Sequence, residues 1–413
     1  MVCGIGYRFI MEYIIKKHRS LLSFIFFIVN SFAVNSQSLT LVQKSFEINN
    51  NQYAINLPEG FSLELLNDEM DGPRLFSFDK SGVLFIGSKS GNIYRLEPPY
   101  TAPTVFTLMD NYPHSIAFKD QYIYISETDV VKRARYNSQI KSIAAEEFEI
   151  VVKLPGGAGH NSRTIANGPD NRLYISLGIT GNCSNEFMSE QYSFQNRRGG
   201  IYLLDESVKP ARLKVFSSGL RNPVGFDWHP QSQVMFASNN GPDHHGFENP
   251  PEYFSEIKEN SFHGMPWYQF DGNKMFRDEC IKSKPPFTID KVQRPVAMFP
   301  PRNAPMGVSF IPEYSMLNNI KYSAVVALRG SWATKPSWNY KTAAASRRKP
   351  KLVVVNFNDK NQAVNVTDLL TGFQLNNGNR WARPVGVGTG PDGALYFTSD
   401  SGVNGLFRLK KTK

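Results

Sequence analysis

Cysteine is nearly absent: three residues in 413, at Cys3, Cys183 and Cys280. That scarcity excludes a disulfide scaffold, and with no Cys-x-x-Cys-His run it excludes an attached c-type haem. No Cys/His group has the spacing of a zinc site. Long apolar runs are equally scarce. The one candidate, Leu21 to Val29, is too short to span a bilayer comfortably. No long stretch carries a strong 3.6-residue apolar period, so amphipathic helices are not the building unit. Nor is there a block of like charge. The chain has a formal net charge of +10, but its densest basic group is Arg347, Arg348, Lys349 and Lys351. That is a solvated turn, not a nucleic-acid surface.

What is present begins at the N-terminus. Lys16, Lys17 and Arg19 precede the apolar run, and small and polar residues follow through Ala33 and Ser36. This positive, apolar, cleavable order is that of a secretory signal. Met11 opens a complete signal of the same kind. Cleavage is expected after Ser36, leaving one domain over residues 37–413, without a stable membrane span, in the periplasm or outside the cell. Export leaves Cys183 and Cys280 in an oxidising compartment that permits a disulfide, but whether they meet is open.

Beyond residue 79 one phrase recurs: a tight turn, then a short run of β-branched and aromatic residues. It occurs at 79–87, 120–126, 170–176, 231–238 (weaker), 322–328 and 392–399. Most of these have a second strand-like run behind them, at 91–96, 130–136, 200–204, 351–357 and 405–409. Aspartate, asparagine and glycine mark the turns, and Val, Ile, Tyr and Phe mark the strands. Six such units predict an all-β chain folded as a six-bladed β-propeller with long inserted loops, the longest between Gly241 and Arg302. A pair of β-sandwiches is the competing architecture.

The chemistry-bearing stretch is Gly157-Ala158-Gly159-His160-Asn161-Ser162-Arg163-Thr164. A histidine at the end of a glycine-rich turn is held by rigid strands and free to face a cavity, where neutral imidazole can act as a general base. Adjacent His244 and His245 invite a metal reading, but no third ligand stands at a fixed spacing, so they stay unassigned.

Read in order, the motifs resemble the soluble quinoprotein sugar dehydrogenases, which include the glucose and sorbosone dehydrogenases. The marks run from about Leu57 to Leu409. They are Gly159-His160 with Arg163-Thr164 and Gly168-Pro169-Asp170, then Gly219-Leu220-Arg221-Asn222-Pro223, Asn240-Gly241-Pro242-Asp243, Gly264-Met265-Pro266, Gly330-Ser331-Trp332 with Tyr340-Lys341, and Arg383-Pro384. The resemblance implies pyrroloquinoline quinone (PQQ) over one mouth of the propeller with calcium beneath it. It implies oxidation of a sugar, polyol or sugar aldehyde, with electrons passed to an external acceptor such as a cytochrome or quinone. Carried over by position, His160 is the general base and Arg221 assists it. Arg221, Asn222 and Arg383 contact the cofactor. The Gly241 and Pro242 carbonyls bind calcium. Arg74 and His114 stand where they can point into the mouth.

The match has departures. Tyr253 and Ser255 replace an acidic and amide pair, and Thr334 replaces a basic residue for which Lys335 is the substitute. Gly159 and Thr180 replace an acid and a glutamine of the glucose-oxidising branch, which leaves Thr180 as a cofactor-site position and points to the sorbosone-like branch. The alternative function is a propeller that kept its shape, lost the cofactor and binds carbohydrate or protein.

Overall fold

The computed structural model describes residues 39–335 and 343–412. The expected signal segment, Tyr340 and Lys341 lie outside them. Residues 37–413 form one compact unit. It is a six-bladed propeller, each blade four antiparallel strands, with a short parallel fifth strand added to blade 3. Taken by their innermost strands, the blades begin at Pro73–Phe78, Ser115–Lys119, Arg163–Asn167, Phe226–Trp228, Pro305–Phe310 and Pro384–Thr389. Blade 6 takes its outermost strand, Phe61–Asn67, from the other end of the chain, where it pairs with Val403–Lys411. That pairing closes the ring and removes an exposed sheet edge.

All six recurring runs of the sequence fall on the second strand of a blade, and the runs behind them fall on the third. The long segment after Gly241 is more ordered than a loop. It supplies the third and fourth strands of blade 4, Glu252–Ile257 and Ala297–Phe299, and a small hairpin, Tyr268–Phe270 with Met275–Arg277. Tyr253 anchors that hairpin: its hydroxyl donates to the Phe270 carbonyl at 2.7 Å and accepts from the Phe270 N–H at 2.8 Å. Phe187, Phe262, Trp267, Tyr268, Ile281 and Val292 form a separate apolar cluster there, and the Cys183–Cys280 disulfide joins its two loops.

Between blades the core is aromatic and β-branched. Phe236 and Phe254 of blade 4, for example, pack with Val308, Phe310 and Val326 of blade 5. Each such buried side chain contributes about 1.5–3 kcal/mol. Towards the axis there is no room for side chains. A Cβ on Gly225, Gly307 or Gly386 would stand 2.2, 2.6 or 2.7 Å from a carbonyl oxygen of Met306, Val385 or Arg74. Hydroxyls bridge neighbouring blades at the same level: Ser77 to the Ile116 carbonyl, Ser115 to Arg163, Thr164 to Val224, Ser238 to Met306 and Thr398 to Arg74. This belt brings the starts of the inner strands together at one mouth.

Candidate functional site

At or just before each inner strand stands one basic residue: Arg74, His114, Arg163, Arg221, Arg302 and Arg383. The belt turns this sequence repeat into a ring of cationic and imidazole side chains. Their contacts run around it. Arg74 Nε meets His114 Nδ1 at 3.4 Å, and Arg163 donates to the His160 carbonyl at 2.8 Å. Gly178 is the point where His160 and Asn222 meet, because a Cβ there would stand 2.6 Å from both. Arg221 and Arg302 share Asp243 at 3.5 and 3.1 Å.

His160 is held by its backbone and by one ring nitrogen. Gly159 has φ +82°, and a Cβ on it would strike the Thr180 carbonyl at 1.9 Å. His160 Nδ1 lies 2.5 Å from the Ile179 carbonyl. A carbonyl only accepts, so Nδ1 carries the proton and Nε2 keeps its lone pair. Burial, and then the nearby Arg221 guanidinium, push the imidazole pKa down to about 4. Neutral at pH 7, with Nε2 available to accept, it has the form a general base requires.

Arg221 is 5% exposed. Its Nη2 donates to Asn182 Oδ1 at 2.7 Å and its Nη1 to the Asn240 carbonyl at 3.3 Å. Its Nε is buried with no partner among the described residues. Asn222 is fixed by its backbone N–H on Asn239 Oδ1 at 2.9 Å. Arg383 donates to the Arg329 and Gly330 carbonyls at 3.0 and 2.8 Å. Burial, then repulsion from Arg329 and Arg380, lowers its pKa to about 9. Burial, then Arg198, does the same to Arg163. Guanidinium groups that depress one another are short of anion, and a polycarboxylate relieves that. His114 is fully buried, with its Nε2 unpartnered among the described residues. A tricarboxylate such as PQQ therefore fits this mouth by charge and by unused donors.

Two expected cofactor contacts have their polar groups paired within the protein. The Thr180 hydroxyl donates to Glu186 at 2.6 Å and accepts from Arg198 at 3.0 Å, so Thr180 supports the His160 turn. Lys335 is half-exposed and paired with Glu248, against the face of Phe247, because that carboxylate is the nearest compensation for its charge.

Calcium does not fit the pair of carbonyls expected to hold it, those of Gly241 and Pro242. The Pro242 carbonyl accepts from Arg302, whose guanidinium also meets Asp243 at 3.1 Å and the Asn249 and Pro250 carbonyls at 3.2 and 3.0 Å. Glu252 accepts from the Gly241 N–H, and burial raises its pKa to about 7. A dication here would stand against a buried guanidinium.

Sequence reading missed Arg302, Asp400, Lys89, Arg329 and Asn182. A signal for the first existed. Arg221-Asn222-Pro223-Val224-Gly225, Arg302-Asn303-Ala304-Pro305-Met306-Gly307 and Arg383-Pro384-Val385-Gly386 are one phrase with small insertions.

The TrAA12-like family model matches residues 55–261 and 254–411. An uncharacterized protein of Borreliella burgdorferi is 27% identical over 396 residues, 93% of this chain and 94% of that one. Among solved structures, a Trichoderma reesei carbohydrate-active enzyme of family AA12 aligns with TM-score 0.72 at 19% identity, covering 89% of this chain and all (100%) of that one. The holo PQQ domain of Coprinopsis cinerea pyranose dehydrogenase gives 0.69 at 20%, covering 87% and 97%. The PQQ-bound aldose sugar dehydrogenase of Streptomyces coelicolor gives 0.58 at 17%, covering 86% and 99%.

Proposed function

Because this chain belongs to the TrAA12-like family, we propose that it is a PQQ-dependent oxidoreductase of a sugar, polyol or sugar aldehyde that passes electrons to an external acceptor. The observation that carries this reading is a neutral imidazole, its Nε2 without a partner among the described residues, set inside a ring of under-neutralised guanidinium groups. When bound, the quinone supplies the two-electron acceptor, a chemistry no side chain has. Arg221 and Arg383 would bind and orient its carboxylates, and Arg163, fully buried and held by four backbone carbonyls, would add positive field. Asn222 positions the ligand beside His160. His160 Nε2 takes the proton of the substrate hydroxyl, and the Ile179 carbonyl stabilises the imidazolium through Nδ1–H. No step runs through calcium, since Arg302 already supplies positive charge at Pro242.

The reading includes export directed by the first 36 residues, with the mature enzyme in the periplasm or outside the cell. Sequencing the N-terminus of the exported protein tests it. The catalytic part is tested by titrating the purified chain with PQQ, with and without calcium, then following dye reduction with aldoses, polyols and sugar aldehydes. Binding with substrate-dependent reduction supports the enzyme. Failure to bind PQQ leaves a binding propeller.

A further inference from the structure

His244 and His245 were left without a third partner by their spacing. The fold supplies one, Asp278, from 33 residues beyond His245. Both Nε2 atoms converge on it: His244 at 3.1 Å from Oδ1 and 3.0 Å from Oδ2, and His245 at 3.1 Å from Oδ2. Asp278 is 1% exposed. Gln269 Nε2, at 3.1 Å from Oδ2, and the Cys280 N–H, at 3.1 Å from Oδ1, fix the carboxylate plane. The two imidazoles are about a quarter exposed, 25% and 26%, and open the cluster to solvent. We propose that His244, His245 and Asp278 are the binding site of one first-row divalent transition cation, with zinc as its representative.

The fold gathers two imidazoles and one carboxylate, with their three ligand atoms within 4.8 Å of one another. With no ion bound, His244 and the Cys280 N–H serve Oδ1, and His245 and Gln269 serve Oδ2, which fills the about four lone-pair sites of the carboxylate. On binding a cation, both imidazoles would carry their proton on Nδ1. Both Nε2 lone pairs then point at the ion, and Oδ2 divides between the ion and Gln269. The spacing agrees. Ligands about 2.0–2.2 Å from one ion stand about 3 Å apart at neighbouring coordination positions, as the Nε2–Oδ2 pairs do.

The donor set selects the class of ion. Two imidazoles and one carboxylate suit zinc, nickel, copper or iron. Calcium and magnesium, which take oxygen ligands, are disfavoured. Gln269 and the Cys280 amide are the outer partners that hold a ligating carboxylate in register. The cation would clasp the segment after Pro242 to the loop carrying Cys280. Asp243, next to His244, is the residue shared by Arg221 and Arg302, so the clasp braces the rim of the cationic mouth.

The test uses the PQQ-free chain with its disulfide intact, freed of metal and titrated with zinc by calorimetry and with cobalt by visible absorption. The expected result is one ion per chain, a cobalt d–d band and a raised melting temperature with zinc but not with calcium. H245Q and D278N should each weaken zinc at least about 100-fold, while H160Q binds as the wild type does. H245Q alters a part-exposed side chain and keeps the test valid if D278N fails to fold. Absence of the cobalt band in the wild type overturns the proposal, as does unchanged affinity in H245Q.

Discussion

Two arcs of the mouth use arginine in opposite ways. Around Asp400, on the blade 6 to blade 1 side, Arg74, Lys89 and Arg329 close on one buried carboxylate at 2.6, 2.7 and 2.8 Å. Around His160, on blade 3, Arg163 donates to the Thr128, Pro155, His160 and Ser162 carbonyls, at 3.0, 2.9, 2.8 and 3.0 Å. Arg198 donates mainly to the Gly156, Ala158, His160 and Gly178 carbonyls, and its nearest carboxylate, on Glu186, is 3.8 Å away. A carboxylate fixes a guanidinium and cancels its charge. A carbonyl fixes it and leaves the charge standing. The first arc is a structural ion-pair lattice in which one carboxylate offsets one of three positive charges. The second is a positive field, and it helps to keep His160 neutral.

Removing one anchor from each arc separates the two. His160→Gln should lower kcat for dye reduction by about 10²–10⁴, the usual worth of a positioned base, with PQQ affinity in a titration changed little. Retained turnover would place the base elsewhere. Asp400→Asn should act on stability, at about 3–5 kcal/mol, because it leaves buried cations unpaired. Denaturant unfolding measures this. The Asp400 carboxyl is held below its ordinary range by Arg74, Arg329 and Lys89 against the cost of burial. Its contribution is therefore present above the unfolded carboxylate pKa of about 3.9 and is lost as pH falls below that towards the folded value.

The field itself is tested by Arg221→Gln. Taking a cation away from His160 should raise its pKa from about 4 towards the ordinary imidazole value of about 6.5. The base is then protonated at higher pH, so the acid limb of activity moves up. The imidazole proton shifts in NMR of the PQQ-free protein report the same change without turnover. An unmoved pKa would mean that burial alone sets it. The smallest effect concerns calcium. With Arg302 on the Pro242 carbonyl, chelation should leave PQQ affinity nearly unchanged, and metal analysis of the loaded protein should find no stoichiometric calcium. A strict calcium requirement would mean that Arg302 vacates that position on loading.

Much of the fold was legible because its signal is local. A turn followed by alternating aromatic and β-branched residues reads the same in all six blades, and each such run is a second strand. The inner strands were not legible. Those at Pro73–Phe78, Pro305–Phe310 and Pro384–Thr389 open on proline, and the last two carry Gly307 and Gly386, where the axis leaves no space for a side chain. The hairpin Leu41–Ile48 with Asn51–Pro58 was also missed. It stays in place by packing Tyr53 on Trp381, ring centres 4.8 Å apart, a partner far along the chain. In the site, His160 and Arg221 stood out by motif. Thr180 and Lys335 are paired with Glu186 and Glu248, partners that their motifs did not announce.

The propeller, the histidine that follows a glycine turn and the basic residue that opens each blade are all written in neighbouring residues, and so can be read along the chain. What those basic residues do cannot. Whether a guanidinium meets a carbonyl, a carboxylate or no partner depends on groups brought from afar, as with Arg74 and Asp400, 326 residues apart. Electrostatic effect follows distance in space and local burial, and closure of the ring sets both.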